Sequence, residues 1–200
     1  MKSASGTVAT AVLLSLGACH ATAANVSQAL ASDFLSKLML ARASSSEIAV
    51  IHQEAGSAML ISSEGGRKGV SYLRGNLKFI WGQIEEQIAA ASAQDKPIHV
   101  ELARWTLDAQ SCDKLDGKLA NFLAKVKESL TDLGPSRADS REIWLDAATL
   151  RIQMAVTNGW LTIIPNGASN PPLQQATLEL HSVVSGCTNS LQPAVEQHDF

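Results

Sequence analysis

Aromatic residues are scarce in this chain of 200 residues, at 4%, although hydrophobic residues of all kinds make up 46%. Aromatic and β-branched side chains are the ones that favour strands. A composition poor in rings and rich in Ala and Leu therefore favours packed helices over a sheet-rich sandwich. The hydrophobic content is still large enough to bury one substantial core, which predicts a single domain.

Charge of one sign is nowhere concentrated, and the formal net charge is −3. A nucleic-acid-binding protein or a protein that lies on an anionic membrane surface usually carries a basic face or a run of basic residues. The sequence therefore predicts no nucleic-acid partner. Outside the N-terminus there is no run of about 18 or more apolar residues, so the sequence contains no ordinary membrane-spanning helix.

Sequence motifs for catalysis and metal binding are also missing. Two H-x-E triplets begin at His52 and His99, but residues two apart on a helix point to different faces, and neither HExxH nor P-C-x-x-C accompanies them. The segment from Ser182 to Gly186 does not match G-x-S-x-G, and CxxCH is absent. We therefore predict no metal site, no cofactor and no catalytic residue that a motif would identify.

The first two dozen residues are typical of an export signal, because Lys2 is the only charge before the short apolar run TVATAVLLSLGA. Leu16-Gly17-Ala18-Cys19 resembles the lipobox of bacterial lipoprotein precursors, in which the cysteine becomes the lipidated first residue. The resemblance implies a signal peptide over residues 1–18, a tether over 19–25 and an acyl chain such as palmitate on Cys19. His20, in place of Asp, implies the outer membrane, with the protein facing the periplasm or the cell surface.

A second cleavage site competes with the lipobox. Ala21-Thr22-Ala23 has the small-x-small pattern of ordinary signal cleavage, which would remove residues 1–23 and give a soluble periplasmic or secreted protein. In both cases Cys19 is lipidated or removed, which leaves Cys112 and Cys187 in an oxidising compartment. We predict a disulfide bond between them, and no redox role, since neither lies in a CxxC motif.

Apolar residues recur mostly at helical spacing, which predicts an all-α fold: an irregular bundle of about six or seven helices in a single helical domain over residues 26–187. The best-specified helix lies between Cys112 and Pro135. Its apolar stripe consists of Leu115, Leu119, Phe122, Val126, Leu130 and Leu133. Further helices are predicted over 26–43, 48–61, 70–93, 98–109 and 171–186, and one that begins at a cap on Asp139. The tail, residues 188–200, is expected to be loose.

Two segments also fit strands. The segment PIHVELARWTL, from Pro97, can be drawn as a strand, although it runs straight into the strong central helix. The segment TLRIQMAVT, from Thr149, alternates strictly, and Asn158-Gly159 is the favoured two-residue hairpin turn before WLTIIP. The alternative is therefore an α+β fold with a hairpin near residues 149–164. We prefer a helix there, because Asn158-Gly159 ends a helix equally well and the cap at Asp139 needs a helix to follow it.

The glycine-rich segment SEGGRKG precedes a predicted helix and has the composition of an anion nest. Backbone N–H groups at Gly65 and Gly66, the side chains of Arg67 and Lys68, and the positive end of a helix would converge there. The segment does not match the Walker pattern, and a plain flexible loop is the other interpretation.

A candidate partner patch consists of Trp160, Leu161, Ile163 and Ile164. A large aromatic residue and three aliphatic residues beside a loop can form a docking surface for a protein. Packing of these side chains under the loop is the alternative.

These observations lead to the hypothesis of a membrane-tethered envelope lipoprotein that acts as a protein-binding module, with another envelope protein as its partner. It would be an accessory or assembly factor, or an inhibitor or immunity protein whose mild acidity suits a basic target. The alternative is a periplasmic hydrolase whose site is assembled from residues distant in sequence. A polar pocket that gathers His52, His99 or His181 with a carboxylate and a serine would favour the hydrolase. Nothing in the sequence points to a particular small-molecule ligand.

Overall fold

A computed structural model describes residues 29–42, 47–52, 55–62, 68–90, 97–131, 150–156, 159–165 and 170–199. Within these ranges the chain forms a seven-stranded antiparallel sheet and four α-helices. The all-α prediction is therefore wrong, and the α+β alternative is correct. The signal segment, Cys19 and the tether lie outside the described residues, as does the cap predicted at Asp139.

The strands are β1 (Ile48–His52), β2 (Ser57–Ser62), β3 (Gly69–Gly75), β4 (His99–Leu107), β5 (Leu150–Val156), β6 (Gly159–Ile163) and β7 (Ala194–Asp199). The helices are α1 (residues 29–42), α2 (Ile80–Ala90), α3 (Leu115–Thr131) and α4 (Pro171–Cys187), and a short 3-10 helix (Thr188–Ser190) follows α4. The order of strands across the sheet is β6-β5-β1-β2-β3-β4-β7, and all neighbouring pairs are antiparallel.

The sheet is covered by helices on both faces. On one face, side chains such as Val50, Met59 and Trp105 pack against α3 and α4. On the other face, side chains such as Ile51 and Leu73 pack against α1 and α2. We name these the α3/α4 face and the α1/α2 face. In strands that are buried on both faces, apolar residues occupy consecutive positions, so the period of two that identifies a strand is lost.

This double burial explains the wrong helix over residues 48–61. The segment forms β1 and β2, in which Val50 and Ile51 are neighbours that are both buried, on opposite faces of the sheet. The helix preferred over 98–109 is wrong for the same reason, because that segment is β4, an interior strand. Its strand alternative is correct.

The helix predicted over residues 70–93 is divided in two. Its first part is β3 and its last part is α2, with a tight loop between them. At Gly75 the backbone turns so closely that an added Cβ would lie 2.0 Å from the carbonyl oxygen of Lys78. Only glycine fits there, so the residue marks a turn and not a tolerated weakness in a helix.

The terminal tail was expected to be loose, and this expectation is also wrong. Residues Ala194–Asp199 form β7, an edge strand that pairs with β4 from Arg104↔Ala194 to His99↔Asp199. The strand satisfies backbone groups of β4 that would otherwise lie unpaired at the edge of the sheet. Its sequence, AVEQHD, has too few apolar residues to identify a strand by pattern.

Several predictions are confirmed. The helices α1, α3 and α4 lie where expected. The helix preferred over residues 149–164 is wrong, and its alternative is correct, because β5 and β6 form a hairpin in which Val156 pairs with Gly159. Helix α4 begins as predicted, with the Asn170 side chain accepting the Leu173 N–H at 3.2 Å and Pro171 in the first turn. The Cys112–Cys187 disulfide is present, and it joins the turn before α3 to the end of α4, with a Cα–Cα distance of 5.5 Å.

Candidate functional site

The helix that was predicted to follow the anion nest is a strand. Gly65, Gly66 and Arg67 lie outside the described residues, and the segment that follows Lys68 is β3. Lys68 is exposed and lines an open depression with Asp108 and Asp116. Because a strand has no dipole comparable to that of a helix, the contribution that a helix N-terminus would make to anion binding is absent, and the remaining groups of the predicted nest stay a prediction.

The residues of the predicted partner patch lie in and after an edge strand, and the described ones differ in exposure. Trp160, Leu161 and Ile163 lie in β6, an edge strand, and Ile164 follows it. The side chain of Trp160 is outside what the structure describes. Leu161 and Ile163 are half-buried, Ile163 against the core of the α3/α4 face, whereas Ile164 is 49% exposed. Among the described side chains of the patch, only Ile164 therefore offers a largely exposed surface.

The three histidines of the hydrolase alternative lie in two places. His99 is exposed at the start of β4, with its Nδ1 atom 2.6 Å from Oδ1 of Asp199 in β7. His52 and His181 meet under α4, with ring centroids 4.7 Å apart and nearly perpendicular rings. The structure therefore brings two of these histidines together and leaves the third apart.

The paired histidines form a polar cluster with Ser57 and Tyr72. The Nε2 atom of His181 lies 2.9 Å from Oγ of Ser57 and 3.5 Å from the Tyr72 hydroxyl. Burial lowers the pKa of His181 to about 4, and the neighbouring charge of His52 contributes in the same direction. His181 is therefore a neutral imidazole at neutral pH. We name these four residues the histidine cluster.

A neutral imidazole on a serine hydroxyl is half of a nucleophile–base pair. However, Ser57 is 0% exposed, and Tyr72 is 2% exposed. No carboxylate among the described residues is hydrogen-bonded to His181. A hydroxyl that neither solvent nor substrate can reach performs no attack, so the cluster acts as a buried polar contact between α4 and strands β1, β2 and β3.

The second region is the loop between β3 and α2, residues 76–79. Leu77 is 97% exposed and has a left-handed backbone, with φ of 59°, and Phe79 is 57% exposed. A bulky residue rarely adopts this conformation, which costs about 1–3 kcal/mol and concentrates at functional sites. Leu77 buries almost no surface in return, so folding does not explain its presence.

The backbone of this loop is held firmly. The Asn76 N–H donates to the Glu101 carbonyl at 2.9 Å, and the Gln83 side chain exchanges two hydrogen bonds with the backbone of Glu101 at 2.9 and 2.8 Å. Phe79 stacks on Trp81, with ring centroids 5.8 Å apart and planes 9° apart. The backbone that carries the exposed side chains is therefore held in place, which lowers the entropy lost by ordering this loop when a partner binds.

Leu77 and Phe79 form one wall of a groove of about 510 Å³, and residues 188–193 form the opposite wall. The floor consists of Arg74, Ala103 and Trp105, from β3 and β4. We name it the apolar groove for the exposed side chains of Leu77 and Phe79, and polar residues such as Lys78 and Asn189 also line it. Its second wall is fixed by the hydrogen bond from Nε1 of Trp105 to the Leu191 carbonyl at 3.0 Å, and by the disulfide at the end of α4.

Arg74, one of two cations that line this groove, lies against an aromatic ring. The guanidinium carbon of Arg74 lies 5.0 Å from the centroid of the Trp105 ring. Across the ranges that the structure describes, no carboxylate forms an ion pair with Arg74. The Glu101 carboxylate accepts instead from Asn76 at 3.3 Å and from Gln197 at 3.2 Å.

Sequence reasoning missed this site because it placed Leu77 on the core face of a predicted helix. The signal that could have located the loop is Gly75-Asn76, a typical turn pair at the end of a run with strand-forming residues. The opposite wall was missed because it lies in the tail that was expected to be loose.

The chain matches no protein-family model, and no curated protein or solved structure is significantly similar to it. In the described part of the chain, His, Cys, Asp and Glu residues nowhere gather in a group that could hold a metal ion. None of the helices seen in these ranges is long and apolar enough to cross a membrane.

Proposed function

We propose that this protein is a protein-binding module of the bacterial cell envelope, tethered to the outer membrane by a lipid on Cys19. The observation that supports binding is Leu77, a nearly fully exposed aliphatic side chain in a strained backbone conformation at the rim of an apolar groove. Strain that folding does not explain is best explained by the contact that the side chain makes with another molecule.

The tether and the location rest on the lipobox-like Leu16-Gly17-Ala18-Cys19. Metabolic labelling with a fatty-acid probe tests them directly. We expect the wild-type protein to be labelled and the Cys19→Ser variant to remain unlabelled. An unlabelled wild type would contradict the tether and would favour the soluble periplasmic or secreted alternative.

Site-specific photocrosslinking tests the binding function. A photoreactive phenylalanine analogue replaces Leu77 in the full-length protein in cells, and the same analogue replaces Leu178 as the matched control. Leu178 is also an exposed aliphatic residue, at 40%, but it lies on α4 and does not line the groove. We expect a discrete crosslinked adduct with another envelope protein from position 77 and none from position 178.

Equal adducts from both positions would indicate nonspecific collision, and no adduct from position 77 would contradict binding at this loop. If an adduct forms, mass spectrometry identifies the partner. The identity of the partner then distinguishes the two subtypes. A basic toxin or muramidase would favour an inhibitor, and a component of a larger assembly would favour an accessory factor.

The hydrolase alternative has one favourable observation, the 2.9 Å contact between Ser57 and His181. An activated serine reacts with a fluorophosphonate probe, whereas a buried serine that only fills a hydrogen bond does not. We therefore expect the wild type and the Ser57→Ala variant to show the same probe labelling, with no label on Ser57. Labelling of the wild type at Ser57 would favour the hydrolase over the binding module.

A further inference from the structure

We propose that the apolar groove binds an extended segment of the partner protein that combines an acidic side chain with an aliphatic or aromatic one. The inference rests on the proposed function and adds the chemistry of the partner. In this complex a partner carboxylate pairs with Arg74 at the floor of the groove. An apolar partner side chain packs against Leu77 and Phe79 at its wall.

Charge complementarity is the first argument. A guanidinium that lies over an aromatic ring is attracted to its face and keeps its N–H edge available, and that edge matches a carboxylate with two parallel hydrogen bonds. No described carboxylate pairs with Arg74, and the other cation of the groove, Lys78, is already paired with Glu86 at 2.6 Å. The groove therefore carries one positive charge that an acidic partner would neutralise.

The apolar surface around that charge is the second argument. Leu77 and Phe79 are 97% and 57% exposed on one side of Arg74, and the ring of Trp105 lies beneath it. Tryptophan and arginine are among the residue types that contribute most to binding at protein interfaces, and aromatic rings such as that of Phe79 are enriched there. An anion without an apolar neighbour would leave this surface in water.

The size of the groove fits a short extended segment better than a folded surface. Residues 76–79 and 188–193 line it together with strand residues of β3 and β4, and its volume is about 510 Å³. This volume accommodates a few side chains. Both walls are fixed by hydrogen bonds to neighbouring strands, so the groove is formed before the partner arrives.

The test is selection from a random peptide library displayed on phage, with the full chain purified in detergent as the target. The Arg74→Gln/Leu77→Ser double variant serves as the counter-target. We expect the wild type to enrich peptides that contain Asp or Glu together with Leu, Ile, Phe or Trp. Affinities of synthetic copies of these peptides are then measured by fluorescence polarisation.

Two pairs of variants assign the binding. Arg74→Gln should weaken binding about tenfold or more, and Lys127→Gln, which removes an exposed charge from α3, should leave it unchanged. Leu77→Ser should also weaken binding, and Leu178→Ser should not. A peptide whose Asp and Glu are replaced by Asn and Gln should bind the wild type as weakly as the original peptide binds Arg74→Gln.

Three outcomes would overturn the inference. These are no enrichment over the counter-target, enrichment of peptides without acidic residues, and equal affinity for the wild type and Arg74→Gln. Self-association of the full chain that Arg74→Gln removes would also overturn it, in favour of a second copy as the occupant. Because the crosslink from position 77 does not depend on the partner's charge, the proposed function survives if only the acidic preference fails.

Discussion

The histidine cluster and the apolar groove lie on the same side of the sheet, and each reverses the usual relation between polarity and exposure. In the cluster, His181 of α4 contacts a serine, a tyrosine and a second histidine on the sheet, and Ser57 is fully buried. The groove places Leu77 and Phe79 in solvent. The polar groups of the cluster are buried because they connect α4 to the sheet. The apolar side chains of Leu77 and Phe79 are exposed, and they contribute little to the packing of the fold. The comparison therefore assigns structure to the first region and recognition to the second.

The largest expected effect breaks the cluster. His181→Ala removes the partner of the buried Ser57 and Tyr72 hydroxyls and leaves a cavity, so we expect a loss of about 2–3 kcal/mol in the free energy of unfolding, measured by urea denaturation. The control is His99→Ala, which removes an exposed contact to Asp199 and should change stability by less than about 0.5 kcal/mol. Equal losses in the two variants would contradict the structural role of the cluster.

Acid should also lower the free energy of unfolding through the histidine cluster. The pKa of His181 is lowered from 6.5 to about 4 by burial and by His52, so between these pH values the unfolded chain holds a proton that the folded chain does not. Stability therefore rises with pH across this window and is lost as the pH falls from 6.5 towards 4, with a slope of up to about 1.4 kcal/mol per pH unit from this group.

The control for this pH dependence is His181→Gln. This variant keeps a hydrogen-bonding side chain and cannot take up the proton, so its unfolding free energy should vary less steeply over the same window. Carboxylates with a lowered pKa, such as Glu179 and Glu196, also lose their stabilising contribution when they are protonated in acid, but this loss is the same in both proteins. Identical slopes for the wild type and the variant would show that His181 does not titrate as described.

The smallest expected effect concerns the loop and has the opposite sign. Asparagine tolerates a left-handed backbone better than leucine, so Leu77→Asn should stabilise the protein by about 0.5–1 kcal/mol while it weakens partner binding. Leu178→Asn, on the helical surface of α4, should instead destabilise it slightly, because asparagine is a poorer helix former. A thermal shift assay and the crosslinking assay on both variants check the two halves of this prediction. A loss of stability in Leu77→Asn would mean that Leu77 serves folding.

Local patterns identified the elements whose burial is one-sided. Helix α3 exposes one face and packs the other, so Leu115, Leu119 and Phe122 recur at helical spacing, and the cap at Asn170 marks the start of α4. The β5–β6 hairpin was present as an alternative because its turn pair and its alternation are both local. Strands β1, β2 and β3 were missed, and β4 was only an alternative, because burial on both faces removes the period of two.

The candidate site was the least accessible to sequence reasoning. Leu77 has the same residue type as a core leucine, and only its backbone angle and exposure distinguish it. Arg74 and Trp105 come together because β3 and β4 pair, and residues 188–193 reach the groove because β7 returns to the edge of the sheet. None of these contacts is local in sequence, so no pattern within a short window could indicate them.

By itself, the sequence determined the features that depend on short segments or on chemistry alone. These are the amphipathic helices α3 and α4 and the pairing of Cys112 with Cys187, the two cysteines that lie beyond the lipobox-like segment. The tertiary structure decided the fold class, because hydrogen bonding between distant strands turned apolar runs that fit a helix into a sheet. It also decided which apolar residues reach solvent, because the tight turn at Gly75 places Leu77 outside the core.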